Sequence, residues 1–193
     1  MIPDLNAPTD RGLHDDAATV IAALDKLARE DDVVLVGHSY GGLAVREAAD
    51  ARADLVRQVV LVDGWAAPDG ASLFDLAPSS FEKAMRASAH TNGDGSQIPA
   101  PPPAAFGVVD SDAAAWLAER LVPQPLRTFS EATRLGGGVD RVPGTAVCCT
   151  PPTYDFLGFG QSVGYRTATI EGPHGVILTD PEGVARSLLE AAA

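Results

Sequence analysis

Val33-Val34-Leu35-Val36-Gly37-His38-Ser39-Tyr40-Gly41-Gly42 runs from four apolar residues, three of them β-branched, into a glycine-flanked serine. The apolar run reads as a fully buried strand of a parallel sheet, and the glycines end it abruptly. Residues 43–51 then follow a helical pattern. A chain that turns from strand to helix in so few residues forces the corner residue into strained backbone angles, tolerable only where its neighbours carry no bulk. Gly37 and Gly41 meet that need and leave Ser39 at the tip of the turn, its hydroxyl clear of the backbone. The amide of Tyr40 and the N-terminus of the following helix sit beside it, where developing negative charge is stabilised. A bare G-x-S-x-G arises by accident in on the order of one in ten chains this long. The flanking strand and helix are therefore what give the motif its weight.

Working outward, residues 58–64 form a second continuous apolar run closed by Asp63-Gly64, a buried parallel strand whose carboxyl end shares a rim with Ser39. Residues 145–150 and 165–170 supply two more strands. Residues 15–28 read as an amphipathic helix with Asp15 and Asp16 in its first turn, and 181–192 as a closing helix with Val184, Leu188 and Leu189 inward. Residues 1–6 look like the tail of a strand, and 154–163 like a loop or short helix. Strands alternating with helices indicate an α/β domain, a mostly parallel sheet flanked by helices, over residues 1–193.

Between 66 and 142 the pattern changes. No strand-type run appears, and short amphipathic helices are expected at 79–89, 111–121 and 125–134. Asn92-Gly93-Asp94-Gly95 and Ile98-Pro99-Ala100-Pro101-Pro102-Pro103 separate them, the latter a stiff extended spacer. A helical insertion after a strand that ends on the catalytic rim reads as a cap that excludes water and shapes a pocket.

Composition narrows the partners. With 46% hydrophobic and 21% charged residues the chain is globular rather than disordered, and a net charge of -12 argues against nucleic acid or an anionic membrane. No apolar run is long enough to span a bilayer and no charged-then-apolar leader is evident, so a cytoplasmic location is the default expectation. Cys148 and Cys149 are adjacent within a strand and should point to opposite faces as buried thiols, with neither a disulfide nor a metal site. No cofactor is expected.

A serine hydroxyl is a weak nucleophile and needs a base that titrates near neutrality. Of four histidines, His14 lies in an N-terminal loop, His90 at the end of an insertion helix, and His38 within the turn, facing away from Ser39. His174, in Glu171-Gly172-Pro173-His174-Gly175, stands at the end of the last strand on the rim of Ser39. It is the candidate base. A carboxylate must fix its tautomer, and two strand-end residues respect the order serine, acid, histidine: Asp155, slightly favoured, and Asp63.

The Gly37–Gly42 motif, the strand ending in Asp63-Gly64, the segment from Ile98-Pro99 to Phe106-Gly107 and Gly172-Pro173-His174 together resemble α/β-hydrolase-fold proteins, of the branch with small carboxylesterases, plant methylesterases and hydroxynitrile lyases. The resemblance implies Ser39 as nucleophile on an ester carbonyl, His174 as base, and a helical cap. Lyases of this branch carry a lysine shortly after the histidine; here Gly175-Val176-Ile177 follows, which disfavours lyase chemistry. Family members also begin with several strands and a His-Gly loop that gives a second oxyanion donor, and against them this chain is expected to start at the end of the strand preceding Asp4. The expected consequences are slower chemistry and an open strand edge at 33–36 that a homodimer would cover. Serine hydrolysis of a small, largely apolar ester is the leading expectation. Its rivals are a non-catalytic ligand-binding or biosynthetic accessory protein, and acyl transfer or cyclisation on the same scaffold.

Overall fold

A computed structural model describes residues 10–27, 33–92 and 95–193. The strand tail expected at 1–6 and residue 28, the last of the first expected helix, lie outside these residues; that helix ends at Leu24, and 25–27 turn out of it. The chain proceeds through α1 (Leu13–Leu24), β1 (Val33–His38), α2 (Gly41–Ala51), β2 (Val56–Val62), α3 (Leu73–Leu76), α4 (Ser79–Asn92), β3 (Gln97–Ile98), α5 (Ser111–Ala118), β4 (Gln124–Pro125) and α6 (Leu126–Ser130). It closes with β5 (Gly144–Thr150), α7 (Phe156–Ser162), β6 (Arg166–Glu171), α8 (Val176–Thr179) and α9 (Pro181–Ala192).

The main sheet is parallel throughout, in the order β1-β2-β5-β6, so every carboxyl end of a strand falls on one rim. Alternation along β2 and β5 builds both faces of the core. Val59, Leu61, Ala146 and Cys148 point into a cluster completed by Leu13, Val20 and Leu24 of α1, Leu43 and Ala48 of α2, Trp65 and Phe156. Val60, Val62, Val147 and Cys149 point the other way, against Ile170, Val176, Val184 and Ala191. The two cysteines thus sit on opposite faces, both buried and free. Each fully buried Val or Leu of these strands contributes about 1.5–3 kcal/mol.

Several sequence expectations need correction. β1 is half-buried rather than fully buried, because among the described residues it is the outermost strand on its side, and Val36 is 41% exposed. α1 begins two residues before the expected start: the Gly12 N–H donates to Asp15 Oδ2 at 2.8 Å and closes the first turn. Leu189 faces solvent, 74% exposed, whereas Val184 is buried and Leu188 packs on the core. The 154–163 segment resolves into helix α7.

In the insertion, α4 spans the expected stretch, but α5 and α6 are shorter than their patterns implied. The proline run is extended at Pro102 and then tightens into a 3-10 turn over Pro103–Phe106. Proline fixes its own φ at a value that both conformations accept, which is why the run alone could not separate them. The two-residue antiparallel pair of β3 with β4 was invisible in the sequence; it is too short to show alternation.

Candidate active site

Ser39 lies between β1 and α2 with φ at +52°, the left-handed conformation that a strand-to-helix corner demands. Its carbonyl accepts from the Gly42 N–H at 3.1 Å and the Trp65 N–H at 3.0 Å, so the corner is held from its own helix and from the turn after β2. A side chain on residue 37 would meet the Val45 methyl at 2.7 Å and the Gly41 carbonyl at 2.8 Å, so glycine is required there. Gly41 is different: a Cβ on it would meet nothing within 4 Å. The second crowded position is Gly42, where a Cβ would collide with the Trp65 carbonyl. The turn needs Gly37 and Gly42, a correction to the sequence reading.

Asp63 ends β2 in the same left-handed region, φ +44°, and is 1% exposed. This bend drives its carboxylate toward the neighbouring strand end, where Oδ1 accepts from the Cys149 N–H at 2.8 Å. Oδ2 lies 2.6 Å from His174 Nδ1. His174 Nε2 lies 2.9 Å from Ser39 Oγ. A hydroxyl, an imidazole and a buried carboxylate thus form one continuous chain along the ends of β1, β2 and β6.

Sequence reasoning placed Asp155 ahead of Asp63, and the structure reverses that order. The chain leaving β5 carries Asp155 to the start of α7, where its carboxylate accepts from the Gly158 N–H at 3.0 Å as a helix cap. The carboxylate paired with His174 is that of Asp63. A signal for it was present, since Asp63 follows its strand directly, whereas four residues separate Asp155 from Thr150.

The His174 imidazole is 8% exposed and flanked by aromatic faces, with the Phe156 ring 5.5 Å away at 8° and the Phe106 ring 6.1 Å away at 25°. Phe106 comes from the 66–142 insertion, and its carbonyl accepts from the Gly175 N–H at 2.8 Å. His38, expected to point away, reaches the same loop: its Nε2 is 2.8 Å from the His174 carbonyl oxygen. Burial, then the neighbouring His174, hold His38 down to about 4, so its ring is neutral over the ordinary pH range. The Cys149 thiol donates to the Pro173 carbonyl at 3.2 Å, and burial beside Asp63 pushes it up to about 12.

Behind the corner, the Tyr40 hydroxyl donates to Asp16 Oδ2 at 2.7 Å, and Arg11 donates to Asp16 Oδ1 at 2.9 Å. Asp16, placed by sequence in the first turn of the helix, is buried. Burial, reinforced by Asp16, raises the Tyr40 phenol well above its ordinary value. His14 bridges α1 to Glu47 of α2 at 3.0 Å and to Glu131 of the insertion at 3.6 Å, which accounts for a histidine that had seemed a loop residue.

Trp65, directly after Asp63-Gly64, anchors an aromatic cluster over the rim. Its ring centroid lies 5.2 Å from Tyr154 and from Phe156, 5.1 Å from Phe159 and 6.4 Å from Phe81. Phe81 in turn stacks on Phe129 at 6.1 Å, and Phe74 meets both. The insertion is thereby fastened to the rim by ring packing. Among the described residues no group of three or more His, Cys, Asp or Glu side chains is placed to hold a metal ion.

A parallel sheet with a serine at a left-handed strand-to-helix corner and an imidazole–carboxylate pair from later strand ends defines the class of α/β folds built around a nucleophile elbow. The chain belongs to the alpha/beta hydrolase family, whose family model matches residues 3–187. It is 36% identical over 116 residues to a carbendazim hydrolyzing esterase of Nocardioides sp. (strain SG-4G), an alignment covering 56% of this chain and 47% of that protein. The chain thus spans about half the length of that curated relative.

Among solved structures it superimposes on an extracellular alpha/beta-hydrolase from a Paenibacillus species, described as sharing structural and functional homology with tobacco salicylic acid binding protein 2. The TM-score is 0.84 at 18% identity, covering 97% of this chain and 83% of that one. Polyneuridine aldehyde esterase follows at TM-score 0.73 and 19% identity, covering 94% and 80% of the two chains. Tomato methylketone synthase I, as its H243A variant with beta-ketoheptanoate, gives 0.71 at 20% identity, covering 91% and 76%. At these identities the likeness establishes the fold. No described helix is long and apolar enough to cross a membrane.

Proposed function

We propose that this chain is a serine ester hydrolase that cleaves a small, largely apolar ester through an acyl-enzyme on Ser39. The observation that carries the reading is the unbroken chain Ser39 Oγ, His174 Nε2, His174 Nδ1, Asp63 Oδ2, with links of 2.9 Å and 2.6 Å. His174 takes the Ser39 proton on Nε2 as Oγ forms its bond to the ester carbonyl carbon. The carbonyl oxygen becomes an oxyanion beside the Tyr40 amide at the N-terminus of α2. When the tetrahedral adduct collapses, the carbon–oxygen bond to the alcohol breaks and the imidazolium returns its proton to the departing oxygen. Water then repeats the sequence on the acyl-enzyme and releases the acid. Asp63, held by the Cys149 N–H, keeps the His174 proton on Nδ1 and stabilises the imidazolium.

In this reading residues 66–142 form the cap, and their aromatic packing onto Trp65 gives the pocket an apolar lining suited to an apolar ester. The name of the Nocardioides relative supports an esterase assignment. A second copy seated along the outer edge of β1 belongs to the same proposal; sedimentation should read a dimer, and a monomer would remove that part. The hydrolase reading is tested with short-chain p-nitrophenyl esters. Turnover should vanish in Ser39→Ala; an active protein whose Ser39→Ala variant hydrolyses the ester at the original rate would end it.

A further inference from the structure

The loop that carries His174 makes one turn of its own before α8, the Val176 N–H donating to the Pro173 carbonyl at 2.9 Å. Gly172, at φ +144°, and Gly175 bracket Pro173-His174. Three further bonds reach its backbone from other elements: the Gly172 N–H donates to Thr150, the Gly175 N–H to Phe106, and the Pro173 carbonyl accepts from the Cys149 thiol. The remaining bond is on His174 itself, whose carbonyl oxygen lies 2.8 Å from His38 Nε2.

We propose that His38 is a positioning residue, a neutral latch whose Nε2–H, donated to the His174 carbonyl, sets the base against the nucleophile one residue away. A carbonyl oxygen only accepts, so the latch requires the tautomer with the proton on Nε2 and a bare Nδ1. Because His38 and Ser39 are adjacent, the latch and the reactive hydroxyl–imidazole bond join the same two short segments. His174 is thereby anchored at its backbone and at its ring to one rigid corner. The His38 and His174 rings lie 4.8 Å apart at 32°, and the charged groups facing His38 are His174 and Asp63. A cation at position 38 would oppose formation of the His174 imidazolium; burial keeps the ring neutral down to about 4 and removes that conflict. Reactive groups displaced by about 1 Å lose on the order of 100-fold in rate, so a bond that sets this spacing acts on kcat rather than on substrate affinity.

The latch rests on the hydrolase reading for its kinetic consequences but not for its geometry, and the experiment separates the two. Three variants are compared with the wild type: His38→Gln, which keeps a side-chain N–H donor, and His38→Met and His38→Leu, which do not. With a p-nitrophenyl ester, the donor-less variants should lose about 10- to 100-fold in kcat with KM within about twofold, and His38→Gln should recover most of the loss. Proton NMR gives a readout free of turnover. The low-field proton between His174 Nδ1 and Asp63 should persist in the wild type and His38→Gln, and broaden or vanish in His38→Met and His38→Leu.

A folded donor-less variant that retains both kcat and the low-field proton overturns the latch. If both donor-less variants fail to fold while His38→Gln folds, the bond is a requirement of the fold and the positioning role falls. If the NMR signals behave as expected but wild-type turnover is unaffected by Ser39→Ala, the latch stands and the hydrolase reading fails.

Discussion

The rim of the sheet and the 66–142 insertion are held together by different physics. At the rim, position is set by backbone: three parallel strand ends, two residues in left-handed conformation, and hydrogen bonds of fixed direction bring Ser39, Asp63 and His174 into line. The insertion is held partly by hydrogen bonds, such as those from the Arg134 N–H to Glu47 and from the Gly136 and Val139 N–H groups to Asp50, and over the rim by ring packing. Phe74, Phe81 and Phe129 hold it to Trp65 and Tyr154, and among the described residues its strands are a single two-residue pair. Directional bonds fix atoms to fractions of an ångström, as proton transfer requires, whereas ring packing fixes a wall and leaves it adjustable. On the proposed hydrolase reading, the rim fixes the reacting geometry and the insertion forms a wall beside it.

If that contrast is right, the largest effects come from the rim. Asp63→Asn should lower kcat by about 10³- to 10⁴-fold with KM little altered, because the amide no longer accepts from His174 Nδ1–H. Steady-state kinetics on a short ester checks it, and Asp155→Asn serves as the internal comparison with kcat within about twofold. A reversed result would restore Asp155 as the acid and break the assignment. Phe81→Ala, in the insertion, should act the other way round: KM rises several-fold with chain length of the acyl group while kcat for the smallest ester changes little. An equal fall of kcat for every ester would mean that the insertion shapes the reacting geometry after all.

The position of His38 makes a prediction about pH. Its ring stays neutral to about 4 when folded, whereas in the unfolded chain it protonates near 6.5. Between those values the unfolded state binds more protons, so stability is intact above about 6.5 and falls as pH drops toward 4, by about 3 kcal/mol in total. Urea unfolding at pH 7 and pH 4.5 should show the loss, and His38→Gln should remove this contribution. Asp155→Ala, which only strips the cap of α7, should cost about 1 kcal/mol in the same assay and leave the pH dependence unchanged.

How much of this could be read from residues alone follows the same division. The rim was legible because a strand-to-helix corner leaves a signature of local sterics: Gly37 is demanded by contacts within eight residues, Ser39 follows an apolar strand, and His174 stands in a glycine-flanked loop after the last strand. The choice between Asp155 and Asp63 was not local. It turns on a φ of +44° after β2 and on the path that carries Asp155 away to the start of α7, and neither leaves a mark in composition or period. Gly41 and Gly42 look interchangeable in sequence, yet only Gly42 abuts Trp65, a contact made across the sheet rim. Asp16 fitted a helix-dipole role, and its bond to Tyr40 emerged only when α1 docked on α2. In the insertion, helix existence was readable from amphipathic spacing, while lengths and the β3–β4 pair were not.

The most direct test of the central claim is covalent labelling with a fluorophosphonate, followed by peptide mapping by mass spectrometry. The account predicts one adduct per chain, on Ser39, formed rapidly in the wild type and lost in His174→Ala, since the serine reacts only when Nε2 at 2.9 Å accepts its proton. Labelling at another residue, or an unlabelled Ser39 in a protein that turns over esters, would contradict it.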